Sequence, residues 1–565
     1  MLKETASQWL APCLSLPAEE IAAKLELPPK PELGDVAFPC FALAKQLRKA
    51  PPVIARELAD ALNETAEGVR AETAGGYVNL FFDPAVWAGR LLDAVMAESF
   101  GSSDAGAGRH VVIDLSSPNI AKPFGIGHLR STVIGNALAN LYRAAGYRVT
   151  TVNHLGDWGT QFGKLISAYH RWGDRIRLEA EPIRESLRLY VKFHEEAEKE
   201  PQLEDDAREW FRKLETDDAE TQTLWRFFVE ESLKEFNRVY DRLGVKFDLL
   251  LGESFYNDKM GAVVERLSEL GLLEESDGAQ VVRLEEQQMP PCLILKSDGT
   301  TIYPTRDLAT AVYRKKVLGA DQLLYVVGAE QTLHFQQVFA VLRKMGEDWA
   351  ADCRHVAFGL MRYEGKKMST RRGKVVFLDE VLDEAAAKAL SVIEAKNPSL
   401  PDKEAVAEAI GTGAIVFGDL KNRRLLSVDF HLEEAISFDG ETGPYLQYTY
   451  ARIASLLRKG SYERLTAEGA ALDGQHLSTP AAWSLLKTVS LFESSILDAV
   501  HENEPSYVAR YLLELTKDFN RFYNEGKIIT ETQDVTYAKL SLAAAVGKVL
   551  RQGLLMLGMK APEQI

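Results

Sequence analysis

The apolar, β-branched run Val111-Val112-Ile113 leads through Pro118-Asn119-Ile120-Ala121-Lys122-Pro123-Phe124 into Gly125-Ile126-Gly127-His128-Leu129-Arg130. β-Branched residues favour an extended backbone, so the run reads as a strand. Residues 128–145 follow with Leu129, Val133, Leu138 and Leu141 on one helical face, and Gly146 stops the helix. Arg148-Val149-Thr150-Thr151-Val152 is a second strand. Strand, tight turn, helix and strand in this order make a βαβ unit, whose strands run parallel with a right-handed crossover. The middle of the chain is thereby held to the α/β class.

A second strand–helix unit runs from Leu323-Leu324-Tyr325-Val326-Val327-Gly328 into residues 332–345 and stops at Gly346. Two such halves predict a doubly wound, Rossmann-type parallel-sheet core over residues 106–350, with ligands at the carboxyl ends of the strands. An acidic, largely helical insertion occupies about 175–290. Residues 1–105 read as a separate α+β domain. Pro28-Pro29 and Pro51-Pro52 break its helices, Leu43, Leu47, Ile54, Leu58 and Leu62 keep helical spacing around the break, and Gly75 to Phe82 reads as a turn and a strand. The stretch from Ser102 to Gly108 is a Gly/Ser/Ala-rich linker. Residues 351–440 form a connecting region, and 441–565 read as an all-α bundle, with Val508, Leu512, Leu515, Phe519 and Phe522 at helical spacing. A chain of 565 residues has room for this many cores.

Composition narrows the class further. A hydrophobic share of 46% and a charged share of 26% are those of a soluble globular protein. No run of 18 apolar residues exists to cross a membrane, and Met1-Leu2-Lys3-Glu4 does not open a signal peptide. The four cysteines, Cys13, Cys40, Cys292 and Cys353, show no CxxC spacing, which argues against a structural zinc or a disulfide framework and fits a reducing cytoplasm. A net charge of −16 taken alone argues against a nucleic-acid partner, but the acid is concentrated. Residues 171–290 carry 18 Lys+Arg against 30 Asp+Glu, whereas 109–170 carry 6 against 2 and 361–374 carry 6 against 1. Local basic patches, not the total, decide whether phosphates dock.

Both basic segments have chemical content. Gly125 and Gly127 let the backbone approach a ligand, and the helix that follows offers free N–H groups to phosphate. His128, Lys122 and Arg130 add side-chain donors. Well downstream stands Lys366-Lys367-Met368-Ser369-Thr370-Arg371-Arg372-Gly373-Lys374. Together the two segments resemble the HIGH and KMSKS signatures of class I aminoacyl-tRNA synthetases. Ser116-Ser117-Pro118-Asn119 and His154-Leu155-Gly156-Asp157-Trp158-Gly159-Thr160-Gln161 narrow the resemblance to the arginyl-tRNA synthetases.

The resemblance implies a cytoplasmic, monomeric ligase that activates arginine with ATP, accompanied by Mg²⁺, and charges tRNA(Arg). It implies catalytic roles at the phosphates for His128 and Lys367. Gly125, Gly127, Met368 and Ser369 would complete the ATP site, and Phe358, Gly359 and Met361 would border the adenine. Two positions depart from the family pattern. Gly125 replaces the first histidine of HIGH, and Thr370 replaces the second lysine of KMSKS. Lys122 is the third catalytic candidate, with Lys366 and Arg371 as other cations that could fill the gap.

A guanidinium asks for carboxylates. Pro304 suits a first helical position, so Tyr303 and Asp307, four apart, share one face. Asp114 ends the first core strand. By resemblance, Asp114, Tyr303 and Asp307 hold the guanidinium, and Asn119 and Gln331 hold the α-amino and carboxylate ends. His154 and Asp157 could suggest a metal, but no third ligand has suitable spacing, so none is expected. For tRNA, Tyr77 and Asn79 match positions that stack on and bond an unpaired base. Tyr511 lies in an aromatic–basic cluster with Tyr507 and Arg510 on one C-terminal helix. Two other readings stay open: a small-molecule nucleotidyltransferase, which needs neither flanking domain, and a non-catalytic RNA-binding paralogue, which Gly125 and Thr370 would suit.

Overall fold

Five parallel strands lie side by side in the order Cys353–His355, Gln322–Tyr325, His110–Asp114, Arg148–Asn153 and Leu249–Leu250. The computed structural model describes residues 1–365 and 376–565. The chain reverses its direction of travel across the sheet on either side of His110–Asp114, and that reversal is the switch point of a doubly wound fold. Both βαβ helices form where the periodicity put them, over Leu129–Ala144 and Thr332–Lys344. Each ends at a glycine with positive φ, Gly146 at 83° and Gly346 at 79°. The first helix packs tightly on the sheet at Gly135, where an added Cβ would lie 2.3 Å from the Leu115 Cβ.

Val112, Val152, Leu308, Leu323, Val338 and Phe339 belong to one buried cluster between the sheet and the helices Tyr303–Lys316 and Thr332–Lys344. The acidic insertion is helical over Arg175–Ala180, Pro182–Ala197, Gln202–Glu215 and Ala219–Leu243. Beyond Leu243 it differs from the expectation. Leu249–Leu250 joins the core sheet, and Glu274–Ser276, Ala279–Val282 and Cys292–Leu295 form a small antiparallel sheet. These elements belong to the larger compact unit, Ser102–Tyr448 with Ile496–Arg510 and Gly553–Ile565.

The other unit gathers Met1–Gly101, Thr449–Ser495 and Tyr511–Gln552. Its antiparallel sheet has Tyr77–Phe82 between Val36–Pro39 and Val69–Ala74. Ile54, Leu58 and Leu62 are buried on the helix Pro51–Thr65, whereas Leu47 is exposed. Leu512, Leu515, Phe519 and Phe522 are buried along one stripe, as their spacing requires. Asp35 ties the sheet to the helix Pro480–Val489 within this unit. One carboxylate oxygen accepts the Phe82 N–H at 2.8 Å, and the other accepts Trp483 Nε1 at 3.1 Å and Lys487 Nζ at 2.6 Å.

Candidate active site

The carboxyl ends of the two strands at the switch point are register partners, Asp114 with Tyr325. Above this edge the signature turn begins. Ile126–His128 forms a single 3₁₀ turn that feeds the helix Leu129–Ala144, and a Cβ at Gly127 would meet nothing within 4 Å. Open space over a glycine at a helix start is what a phosphate needs. His128 Nδ1 accepts the Gly125 N–H at 3.2 Å, which leaves the ring proton on Nε2. Burial pushes the imidazole down to about 4, and the charge of Lys122 acts in the same direction. His128 is therefore a neutral hydrogen-bond donor at physiological pH.

The turn is paired with the far flank of the downstream basic segment. Gly125 bridges Phe377, the Ile126 N–H donates to the Val376 carbonyl at 3.1 Å, and the Leu378 N–H donates to the Phe124 carbonyl at 2.9 Å. Lys366, Lys367, Met368, Ser369, Thr370 and Arg371 lie outside the described residues. The expected adenine border is built by backbone pairing as well. Gly328 bridges Phe358, and the Ala329 N–H donates to the Phe358 carbonyl at 2.8 Å. Gly359 runs so close to Leu425 and Leu426 that an added Cβ would sit 2.7 Å from their backbone. Met361 is buried in the next strand, Met361–Tyr363. Arg130, read from the sequence as a phosphate donor, is 1% exposed and turned inward. Its Nη1 holds the carbonyls of Gly359 and Leu426 at 2.7 and 2.8 Å.

On the amino-acid side, Pro304 occupies the first turn of Tyr303–Lys316, and Tyr303 is 64% exposed. Asp307 Oδ2 meets His334 Nε2 at 2.5 Å, and Oδ1 has no hydrogen-bond partner among the described residues. Glu253 faces Arg306 at 3.5 Å, with both side chains largely buried. Burial pushes the Glu253 carboxyl up to about 7; Arg306 opposes that shift, while Asp307 and Asp157 add to it. Like charges disfavour ionisation, so Asp307 and Asp157 act on Glu253 against the pull of Arg306. Asn119 pairs with Gly156 as an isolated bridge, and a Cβ on Gly156 would stand 2.3 Å from the Asn119 Oδ1. Gln331 is exposed at the start of the helix Thr332–Lys344. A cavity of about 560 Å³ opens beside Tyr303 and Arg306, with Trp158, Phe211, Arg212 and Lys296 also on its wall.

Asp114 ends the strand His110–Asp114, as the sequence reading has it. The guanidinium it holds belongs to the chain itself: Arg314 Nη2 lies 2.7 Å from Asp114 Oδ2, and Ser117 Oγ donates to Oδ1 at 2.8 Å. Both carboxylate oxygens are thus engaged. Asp157 is likewise committed, accepting the Ser254 N–H at 2.8 Å and its hydroxyl at 2.6 Å. His154 donates from Nδ1 to the Leu251 carbonyl at 3.0 Å, and burial holds its imidazole below the usual range. Among the described residues, no three His, Cys, Asp or Glu side chains converge to hold a metal.

In the other unit, Tyr77 packs edge-on to Phe41 at 5.3 Å, and Phe41 is more than half exposed. Asn79 is buried. Tyr511 donates its hydroxyl to the carbonyls of Thr488 and Val489 at 3.0 and 3.2 Å and stacks on Phe492.

Sequence reasoning missed Glu253, Arg314 and Arg306. Glu253 is one acid among many in the insertion. Arg314 did carry a signal, because it lies seven residues after Asp307 and so falls on the same helix face.

Three family models match the chain. "tRNA synthetases class I (R), catalytic domain" covers residues 91–432, "Arginyl tRNA synthetase N terminal domain" covers 1–82, and "DALR anticodon binding domain" covers 446–565. The chain is 49% identical to an arginine–tRNA ligase of Clostridium botulinum and 50% identical to one of Clostridium beijerinckii, with 100% of both proteins covered in each case. Its structure is similar to that of the arginyl-tRNA synthetase of Thermus thermophilus, at a TM-score of 0.83 and 28% identity over 100% of each chain. No helix among the described residues is long and apolar enough to cross a membrane.

Proposed function

The chain belongs to the arginyl-tRNA synthetases, the arginine–tRNA ligases of class I, and from that premise we propose how its own residues divide the work. The reaction is the joining of arginine to tRNA(Arg) with ATP. The arginine carboxylate attacks the α-phosphate, pyrophosphate leaves, and arginyl-adenylate forms. The 3′-terminal hydroxyl of tRNA then attacks the adenylate's carbonyl carbon, and AMP leaves. Neither step needs a protein nucleophile. Both need in-line placement and donors for the charge that gathers on phosphate oxygens.

His128 serves that need through its Nε2 proton, as a neutral donor at a helix start. Lys122 supplies a nearby positive charge, and Lys367 supplies another from the downstream signature. ATP brings Mg²⁺ with it. Phe358, Gly359 and Met361 border the adenine, on a loop whose path Arg130 secures. Asp307 and Glu253 take the guanidinium, with Tyr303 beside them, while Asn119 and Gln331 take the α-amino and carboxylate ends. The observation that carries this reading is Asp307, whose one oxygen is held by His334 and whose other oxygen is unbonded among the described residues. Asp114 acts one layer down, by neutralising Arg314.

Tyr77, paired with Phe41, offers an aromatic surface for an unpaired tRNA base. Asn79 supports that strand from inside. The reading extends to a monomer working in the cytoplasm. ATP–pyrophosphate exchange tests it: label should enter ATP with arginine and tRNA(Arg) present, and not with lysine. Exchange with arginine is expected to be weak without tRNA, because bound tRNA shifts the population toward a competent pocket. Strong exchange with arginine alone, in preparations free of RNA, would remove that coupling from the reading.

A further inference from the structure

His334 is a helix residue that no step above uses, yet it makes the one hydrogen bond that Asp307 has among the described residues. The contact joins two elements. Asp307 lies in Tyr303–Lys316 and His334 in Thr332–Lys344, and their side chains are 22% and 20% exposed. The imidazole is itself fixed. It packs edge-on to Phe335 at 5.3 Å, and Phe335 is held between Tyr325 and His355 at 5.0 and 4.7 Å.

A carboxylate on a short side chain turns broadly about its last torsion. A bond from a fixed ring to one oxygen removes that freedom and sets the plane in which the other oxygen offers its lone pairs. The two kinds of cationic side chain respond differently. A guanidinium donates through a rigid planar fork and gains only when the acceptor plane matches it. An ammonium is a point charge with three rotatable donors, and the plane matters little to it.

We propose that His334 is a positioning residue that fixes the plane of the Asp307 carboxylate and thereby selects a guanidinium over an ammonium side chain. The proposal rests on the reading that Asp307 receives the guanidinium. In this role His334 touches no substrate; it acts by donating from Nε2 to Oδ2 and leaving Oδ1 correctly aimed.

The experiment is ATP–pyrophosphate exchange with the full chain and saturating tRNA(Arg), reading kcat, the KM values for arginine and ATP, and the Ki of lysine as a competitor. The variants are H334A, H334Q, D307A and the double variant D307A/H334A. In H334A the arginine KM should rise about tenfold, while kcat, the ATP KM and the lysine Ki stay within about threefold. H334Q keeps an N–H donor at similar reach and should recover most of the loss. The double variant should be no worse than D307A, because the two residues share one job. Equal losses for arginine and lysine in H334A, or a fall in kcat and ATP affinity that H334Q does not repair, would overturn the proposal in favour of a merely structural histidine. An unchanged arginine KM in D307A would instead overturn the pocket reading beneath it.

Discussion

Arg130 and Asp419 form an ion pair that water does not reach: Nε lies 2.8 Å from Oδ1, and the side chains are 1% and 0% exposed. Arg130 lies in the first turn of the helix Leu129–Ala144, and Asp419 in the last turn of the helix Lys403–Leu420. The same guanidinium holds the carbonyls of Gly359 and Leu426, so one side chain links the helix after the Gly125–His128 turn to the loop proposed to border the adenine. Arg130 Nη2 and Asp419 Oδ2 have no hydrogen-bond partner among the described residues, so the pair and the two carbonyls at Nη1 together offset the desolvation of both charges.

Removing one member of such a pair strands a buried charge, which typically costs about 3–5 kcal/mol. Arg130→Ala should lower the unfolding midpoint markedly, and in whatever fraction stays folded it should raise the ATP KM more than the arginine KM. Arg130→Lys keeps the charge but not the fork, and should fall between. Urea titration and exchange kinetics on the same preparations check both. A variant with native stability and ATP affinity would show that the adenine loop holds itself.

Arg130 also shows how far the sequence could be read. Its place in the chain, beside His128 at a helix start, suggests a phosphate donor. Its actual partner lies far away in sequence and is fixed only by tertiary packing. The three central strands were legible as apolar or β-branched runs, and the two helices between and beyond them end at glycines. The small sheet over Glu274–Leu295 was not, because strands as short and as charged as Glu274–Ser276 carry no period to detect. Leu249–Leu250 joins the core through two residues only. Tyr303 and Asp307 were legible as one face of a helix. Glu253 and the internal pairing of Asp114 with Arg314 were not, since each depends on which distant side chain the fold brings across.

That pairing separates two aspartates that looked alike in the sequence. Asp307→Ala should raise the arginine KM roughly 30-fold or more with little effect on ATP, because truncating a buried charged partner costs about 2–5 kcal/mol. Asp114→Ala should chiefly destabilise the fold, leaving Arg314 buried without its counter-charge, and the surviving enzyme should bind arginine almost normally. Thermal melts alongside arginine KM values distinguish the two. A selective arginine defect in Asp114→Ala with intact stability would return Asp114 to the substrate pocket.

Lys122 lies on the stretch leading into the Gly125–His128 turn, with its ammonium 5.2 Å from the Tyr190 ring centroid. Its charge bears on His128 and on Glu253 alike. Thr370 offers no cation where the family pattern often has one, and charge builds on pyrophosphate as it departs. Lys122→Ala should therefore slow activation by about 10²-fold, or about 3 kcal/mol. Thr370→Lys should restore part of that loss. A double-mutant cycle on exchange rates reads the coupling, and simple additivity would mean that the two positions serve different ends.

Glu253 sets an expected pH dependence. Burial raises its carboxyl from the ordinary value of 4.5 to about 7, against the pull of Arg306. Because the folded value lies above the unfolded one, the folded state holds the extra proton between those two pH values. Stability from this group is therefore full below 4.5 and is lost as pH rises toward 7. Binding runs the other way. A guanidinium seated beside Glu253 favours the carboxylate, so arginine affinity should climb with pH and level off above about 7. Arginine binding near pH 6.5 should release a fraction of a proton to the buffer. Titration calorimetry in buffers of different ionisation enthalpy measures that release directly. Glu253→Gln should abolish it, flatten the affinity profile and weaken arginine at high pH, while making the free protein less sensitive to pH over the same interval. Undiminished proton release in Glu253→Gln would assign the titration to another group and remove Glu253 from the cation seat.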